Sequence, residues 1–383
     1  MTHPQNKADR RVFFKLAAAF VTAASSGMAM SADEKRTDTP QPDPGYKRIA
    51  TEEAFITKTL AAHYDRILRD GLSDDPGFNA MWRGIGSSEQ FRSGLLDLGE
   101  GRIADMDTAG ISLQLLLLTA PGVQVFDAAT ATAVARETND ELQAAIAKHP
   151  SRYAGLAVIA PQDPRAAAME LERGVGSLGL KGAVVNSHTF GEYLDDQKYW
   201  EIFETAEALE VPIYIHPRPP PPPMIEPYLS RGLSGPLGGF SAEVYLHTLA
   251  IITAGVFDRF PDLKIVIGHL GEGLPYLMYR LDYMQHHAAA PGLRGKVEGT
   301  RLERKISEYM TTNIYVTTSG MAWEPAIKFA QTVLGSDRVL YAMDYPYQFD
   351  LAEVIATDKL SISDDDKKLL YQTNAERLFG LSA

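Results

Sequence analysis

The chain of 383 residues contains no cysteine. Disulfides, thiolate nucleophiles, iron–sulfur clusters and cysteine-type zinc sites are thereby excluded, and any metal must rest on oxygen and imidazole donors. Positive charge is also scarce: 37 Lys and Arg stand against 49 Asp and Glu, a net charge of −12. A surface of that sign repels phosphate backbones and argues against a nucleic-acid partner. Long apolar runs are missing as well. The strongest candidate, after Arg11, is broken by Thr22, Ser25 and Ser26, which argues against stable membrane insertion. No glycine-rich phosphate fingerprint follows the first strand, which disfavours a doubly wound nucleotide fold. What is present, 45% hydrophobic and 22% charged residues, is the composition of a soluble globular chain.

The opening "RRVFFKLAAAFVTAASSGMAMSA" has the paired arginine, alanine-rich apolar run and small residues of a twin-arginine export signal. Residues 1–32 are expected to be this signal, and the protein to be periplasmic or exported. That route carries folded proteins, which allows a metal to be loaded first. Cleavage near Ala32 removes Lys7, Arg10, Arg11 and Lys15 but only Asp9, so the mature chain is more acidic still. Residues 33–46, "DEKRTDTPQPDPGY", read as a polar, proline-spaced disordered leader, and residues 47–383 as one domain.

Within that domain short apolar runs alternate with helix-like stretches. The runs are Ile49–Phe55, Leu113–Thr119, Tyr153–Ala160, Gly182–His188, Ile213–His216, Ile265–His269, Ile314–Ser319 and Val339–Asp344; "ATATAVARETNDELQAAIAKH" and "EPAIKFAQTVL" are two of the helices. Eight such units predict an α/β protein, a (β/α)8 TIM barrel. The stretch from Thr57 to Leu96 reads as a cap inserted after strand one. The proline run "RPPPPPM" reads as a stiff loop over the barrel mouth.

In a barrel the carboxyl ends of all strands converge on one face, where active sites of this fold are built. Those ends here carry Glu52, Thr119, His188, His216, His269 with Glu272 just beyond, Ser319 and Asp344. Strand alternation lets only one of the adjacent Glu52 and Glu53 face the barrel. Glu52 shares a face with the small Ala50 and Ala54, so it is expected inside, and Glu53 in a salt bridge of the helix layer. A buried carboxylate without a partner is costly, and a metal ion is its natural counterpart. Glu52, His216 and Asp344 form a divalent site of oxygen and nitrogen donors, suited to manganese, magnesium or zinc. Three protein ligands leave open positions, as a catalytic metal requires.

The blocks "RIATEEAF", "GRIADMDTAGI", "VNSHTFGEYLD", "YIHP", "GHLGEGLPYLMYRLDYM", "TTSGMAWEPAIKF", "YAMDYPYQ" and "QTNAERLF" resemble the amidohydrolase-related, metal-dependent aromatic acid decarboxylases. Within that family the 5-carboxyvanillate branch is the nearer likeness and the γ-resorcylate branch the more distant. The likeness runs from about Gly45 to Phe379. It implies one divalent ion, manganese favoured, on Glu52, His216 and Asp344. It implies catalytic roles for Asp344, His269 and Glu272, with Asp344 delivering a proton to the ring carbon. Thr119, His188 and Tyr347 fall on wall positions of the substrate pocket. Arg280 falls on an arginine that reaches a neighbouring subunit's site to bind the substrate carboxylate, which implies a homodimer or homotetramer. Ala54 stands where many relatives have histidine. The segment after strand one is shortened, so the second substrate arginine is Arg83, Arg92 or neither, and the ring substituents stay open.

The expected reaction is non-oxidative loss of CO2 from an ortho-hydroxybenzoic acid. The same donors also suit a hydrolase in which metal-bound water attacks a lactone, ester or amide; a non-catalytic exported binding protein is the third reading. Without the resemblance, Arg280 reads as a surface partner of Asp282 or another acid, His188 as a loop cap and Tyr347 as packing. His247, His286 and His287 read as structural or surface residues.

Overall fold

The computed structural model describes residues 45–287 and 302–381. The export signal and nearly all of the leader lie outside the described residues. Gly45 and Tyr46, the last two residues of the expected leader, are described, and the Tyr46 ring stacks on Tyr371 at 5.2 Å.

The strands are β1 (Ile49–Phe55), β2 (Leu113–Leu118), β3 in two segments (Tyr153–Gly155 and Ala157–Val158), β4 (Ala183–Val185), β5 (Ile213–Ile215), β6 (Ile265–Ile267), β7 (Ile314–Thr317) and β8 (Val339–Leu340). All pairings are parallel between sequence neighbours, in a three-stranded and a six-stranded run. The runs meet within β3, where the Leu156 N–H reaches Leu116 C=O at 2.9 Å. Closure onto β1 comes from the Thr51 N–H to Tyr341 C=O at 3.0 Å and the Ala54 N–H to Tyr345 C=O at 2.7 Å. The result is the expected (β/α)8 barrel. Strands such as "LQLLLL" and "IVI" are apolar on both faces because helices cover the outside while side chains fill the inside.

The helices start where the sequence supplies caps. Asp127 accepts the Thr130 N–H ahead of Ala128–Lys148, and Asp163 accepts the Ala166 N–H ahead of Pro164–Gly176, with proline in the first turn. The insert after β1 is helical as α1 (Lys58–Asp70), α2 (Pro76–Ser87) and α3 (Glu89–Leu96). Tyr64 packs edge-on against Phe78 and Trp82, giving the cap its own small core. A buried ion pair fastens it to the barrel. Asp75 caps α2 with one oxygen and takes Arg218 with the other at 2.5 Å. Among the described residues no helix is long and apolar enough to cross a membrane.

Two expectations need correction. Glu53 forms no salt bridge in the helix layer: it is fully buried and accepts the N–H groups of Met343 and Tyr345 at 2.9 and 3.1 Å. The cause is a β-bulge, since the register with β2 shifts between Ala50 and Glu53 and simple alternation fails there. The proline run is not a loop throughout either. Pro219, Pro220 and Pro221 are buried, and Pro222 opens a helix, Pro222–Leu229, whose first turn needs no proline N–H.

Arg102 holds the junction between cap and barrel. Its buried guanidinium donates to Ala54 C=O at 2.6 Å and Gly94 C=O at 2.8 Å, and its Nε to Asp97 C=O at 2.8 Å. Arg102→Met should lower unfolding free energy in urea by about 3 kcal/mol, because buried carbonyls lose charged donors. A change within the measurement error would show that these carbonyls find other partners.

Candidate active site

Glu52 is 1% exposed. Its Oε2 accepts hydrogen bonds from the hydroxyls of Tyr214 on β5 and Thr317 on β7, whereas its Oε1 has no hydrogen-bond partner. His216 follows β5 and is pinned through Nδ1 to Asn186 Oδ1 at 3.0 Å. With Nδ1–H as donor to the Asn186 carbonyl, the Nε2 lone pair is left facing Glu52 Oε1 at 3.9 Å. Burial lowers the His216 pKa to about 4 and outweighs the attraction of Glu52, so the ring is neutral at pH 7. A neutral imidazole nitrogen and a carboxylate oxygen thus confront each other with no hydrogen between them.

That confrontation suits a cation. Two donors each about 2.1 Å from one ion lie roughly 3 to 4.2 Å apart, and 3.9 Å falls inside that range. Gly268 keeps the space open, since a Cβ there would sit 2.6 Å from Glu52 Oε1. The other half of the site is His269 with Asp344, whose Nε2 and Oδ2 are 4.0 Å apart. Among the described residues no three His, Asp or Glu side chains form a ready-made cation cage. The site comprises two donor pairs, and the charges of Glu52, His269 and Asp344 act on one another.

His269 Nδ1 pairs with Glu272 Oε1 at 2.6 Å. Burial opposes the charge on His269, but Glu272, Glu52 and Asp344 together outweigh it and raise its pKa to about 10. Burial raises the Asp344 carboxyl, helped by Glu52 and Glu272 and opposed by His269. Both groups hold a proton more readily than they would in water. Several residues at the strand ends adopt positive φ without being glycine: Ser187, His269, Leu270, Glu272 and Asp344. Backbone strain of this kind gathers at functional sites.

The remaining expected residues divide. Thr119 and Tyr347 come together, their hydroxyls 2.5 Å apart, and Phe91 of α3 packs edge-on against Tyr347. Ser319 is buried with an unpartnered hydroxyl. His188 braces a loop: Nε2 meets Pro219 C=O at 3.1 Å and Nδ1 accepts the Gly191 N–H at 3.2 Å. Both ring nitrogens are engaged because the loop after β4 must close over the proline segment. Arg280 is exposed on the helix Leu274–His287, and among the described residues it forms no ion pair; Asp282 instead accepts from Ser307. Arg92 is committed to Asp65 by two hydrogen bonds of 3.2 and 2.6 Å, and Arg83 is exposed. His247 is buried and structural, accepting the Leu194 N–H through Nε2.

Sequence reasoning missed Tyr214, Thr317 and Asn186. Tyr214 lies within β5, where a phenol among aliphatic residues in a buried strand signals an internal acceptor. Asn186 follows Val185, which is in register with Ile215, so it stands beside His216.

Comparison with known proteins follows from this geometry. Residues 95–381 match the amidohydrolase family. The chain belongs to that family. It is 37% identical over 345 residues to a γ-resorcylate decarboxylase of Polaromonas sp., covering 88% of this chain and 99% of that protein. A solved 5-carboxyvanillate decarboxylase of Novosphingobium aromaticivorans, complexed with manganese and 4-hydroxy-3-methoxy-5-nitrobenzoic acid, is 46% identical. The match covers 89% of this chain and 98% of that one, with a TM-score of 0.86. A dihydroxybenzoic acid decarboxylase of Polaromonas sp., with manganese and 2-nitroresorcinol, is 35% identical with a TM-score of 0.74.

Removing the supports of the two facing donors should weaken metal binding without unfolding the protein. Tyr214→Phe and Asn186→Ala are each expected to lower manganese affinity about 10- to 100-fold, read by titration calorimetry. Unchanged affinity in both would show that Glu52 and His216 are not metal ligands.

Proposed function

We propose that this member of the amidohydrolase family is a carboxy-lyase catalysing metal-dependent, non-oxidative decarboxylation of an ortho-hydroxybenzoic acid of the 5-carboxyvanillate type. The observation that carries the reading is the pair of unsatisfied donors, Glu52 Oε1 and His216 Nε2, beside a proton-holding His269–Asp344 pair. It is supported by the 46% identical 5-carboxyvanillate decarboxylase with its bound manganese. Glu52, His216 and Asp344 would hold one divalent ion, manganese favoured. When bound, that ion acts as template and Lewis acid for a carboxylate and the adjacent phenolate oxygen.

The chain's own residues then do the rest. The hard event is protonating the ring carbon that bears the carboxylate, because it interrupts aromaticity before the C–C bond opens. Asp344 is the acid for that step. Its Oδ2 faces His269 Nε2 at 4.0 Å; Asp344 regains its proton by way of His269, which is itself reprotonated from solvent, and Glu272 fixes the His269 ring through Nδ1. The Thr119–Tyr347 hydroxyl pair offers polar wall contacts to ring substituents, and the cap excludes water. Of the two candidates for a second substrate arginine, Arg92 is paired with Asp65 and Arg83 is exposed.

Arg280 serves a neighbouring copy of the chain, where it pairs with a substrate carboxylate. The surface around it supports this: Tyr276, Tyr279 and Tyr283 of the same helix are 78%, 83% and 51% exposed. Aromatic residues flanking an arginine are a usual composition for a subunit interface. The opening 32 residues support export by the twin-arginine route.

The experiment is to incubate manganese-loaded protein with 5-carboxyvanillate and related 2-hydroxybenzoates and follow CO2. Release without net water consumption is expected; hydrolysis of lactones or esters with no CO2 would instead favour the hydrolase reading. Asp344→Asn should keep the thermal midpoint and lose at least about a hundredfold in turnover. Retained turnover refutes its role as acid. Arg280→Ala should raise KM more than it weakens metal binding, whereas equal losses would mark a structural residue.

A further inference from the structure

Glu53 takes no part in the chemistry above, yet it is fully buried beside the site. Its two oxygens accept one N–H each, Met343 at 2.9 Å and Tyr345 at 3.1 Å. These amides flank Asp344. In an extended strand, alternate residues are about 6.6 Å apart along the chain, which is wide for two N–H groups to meet one carboxylate. Here the chain bends between them, because Asp344 has φ of +66°. Backbone N–H groups gathered by a left-handed residue make an anion-binding concavity. The Glu53 carboxyl group occupies this one, one oxygen on each N–H.

Other contacts to the segment leave those two amides alone. Thr318 Oγ accepts the Ala342 N–H at 3.0 Å, Tyr341 C=O takes the Thr51 N–H, Tyr345 C=O the Ala54 N–H, and Asp344 C=O the Gln348 N–H at 2.9 Å. Burial pushes the Glu53 carboxyl up, and the Met343 and Tyr345 N–H groups, then the charge of Arg102 behind it, act the other way; the Arg102 guanidinium lies 4.4 Å from the Tyr345 ring centre. Without Glu53 two buried N–H groups would be orphaned, and the chain could regain partners only by unbending at Asp344.

We infer that Glu53 is a positioning residue whose carboxylate, seated between the Met343 and Tyr345 amides, sets the left-handed turn that presents Asp344 to the active site. The effect on turnover rests on the reading of Asp344 as the acid. The consecutive glutamates of "TEEAF" thus divide the work across a β-bulge. Glu52 faces the barrel, and Glu53 shapes the strand end that brings in Asp344.

Glu53→Gln keeps the side-chain size but offers one acceptor oxygen where two N–H groups each need one. In the full-length protein saturated with manganese, kcat should fall about 10- to 100-fold while KM changes less than about threefold. Hydrogen exchange at the Met343 and Tyr345 amides should accelerate, the electron paramagnetic resonance line shape of bound Mn2+ should change, and the thermal midpoint should hold. Glu53→Asp, shorter by one methylene but still offering two carboxyl oxygens, should fall between the two proteins. The proposal is overturned by kcat within about twofold of wild type with unchanged exchange, or by a kcat loss matched by collapse of the thermal midpoint in both variants. If the wild type releases no CO2, the decarboxylase reading fails by itself. Amide exchange and the Mn2+ line shape then still decide the role of Glu53.

Discussion

A carboxylate buried in the barrel, with one oxygen satisfied and the other not, is the constraint around which this molecule is arranged. Glu52 Oε2 is held by two hydroxyls from β5 and β7, which fix the side chain without neutralising it. Its Oε1 faces a neutral imidazole nitrogen at 3.9 Å. Burying an ion costs several kcal/mol unless charge and hydrogen bonds answer it. No Lys or Arg forms an ion pair with Glu52 among the described residues. The donor chemistry therefore calls for a cation.

The barrel provides the positions and the strand exits provide the aim. Strands of two to seven residues keep the rigid part short, so the reacting groups sit just past their carboxyl ends. There the backbone leaves regular geometry: Ser187, His269, Leu270, Glu272 and Asp344 all lie in the left-handed region. Each such residue needs its surroundings to hold it. Asn186 steadies His216, Glu272 steadies His269, and the amides around Asp344 close on Glu53. The cap is fixed by comparable means, through Arg218 with Asp75 and through Arg102 with three carbonyls. Catalytic precision here is a property of buried polar anchors more than of the hydrophobic core.

Much of this was legible in the residues. Parallel, doubly buried strands announce themselves as apolar runs, and all eight fell where periodicity put them. The strand-end residues Glu52, His216, His269 and Asp344 were legible because the fold forces those ends together. Glu53 was misread because a bulge breaks the two-residue period, and no local sequence signal marks it. The contact of His188 with Pro219 was not legible because the two lie 31 residues apart, in a loop whose path no periodicity records. The hydroxyls on Glu52 were invisible for a related reason. They come from β5 and β7, and cross-barrel neighbours depend on closure, not on spacing along the chain.

The central claim is that one divalent ion is shared by Glu52, His216 and Asp344. Anomalous diffraction at the manganese edge, from crystals of the metal-loaded protein, tests it most directly. A single peak within about 2.0–2.4 Å of Glu52 Oε1, His216 Nε2 and an Asp344 oxygen is the predicted result. A peak elsewhere on the protein, or none between these three side chains at full manganese loading, would contradict it.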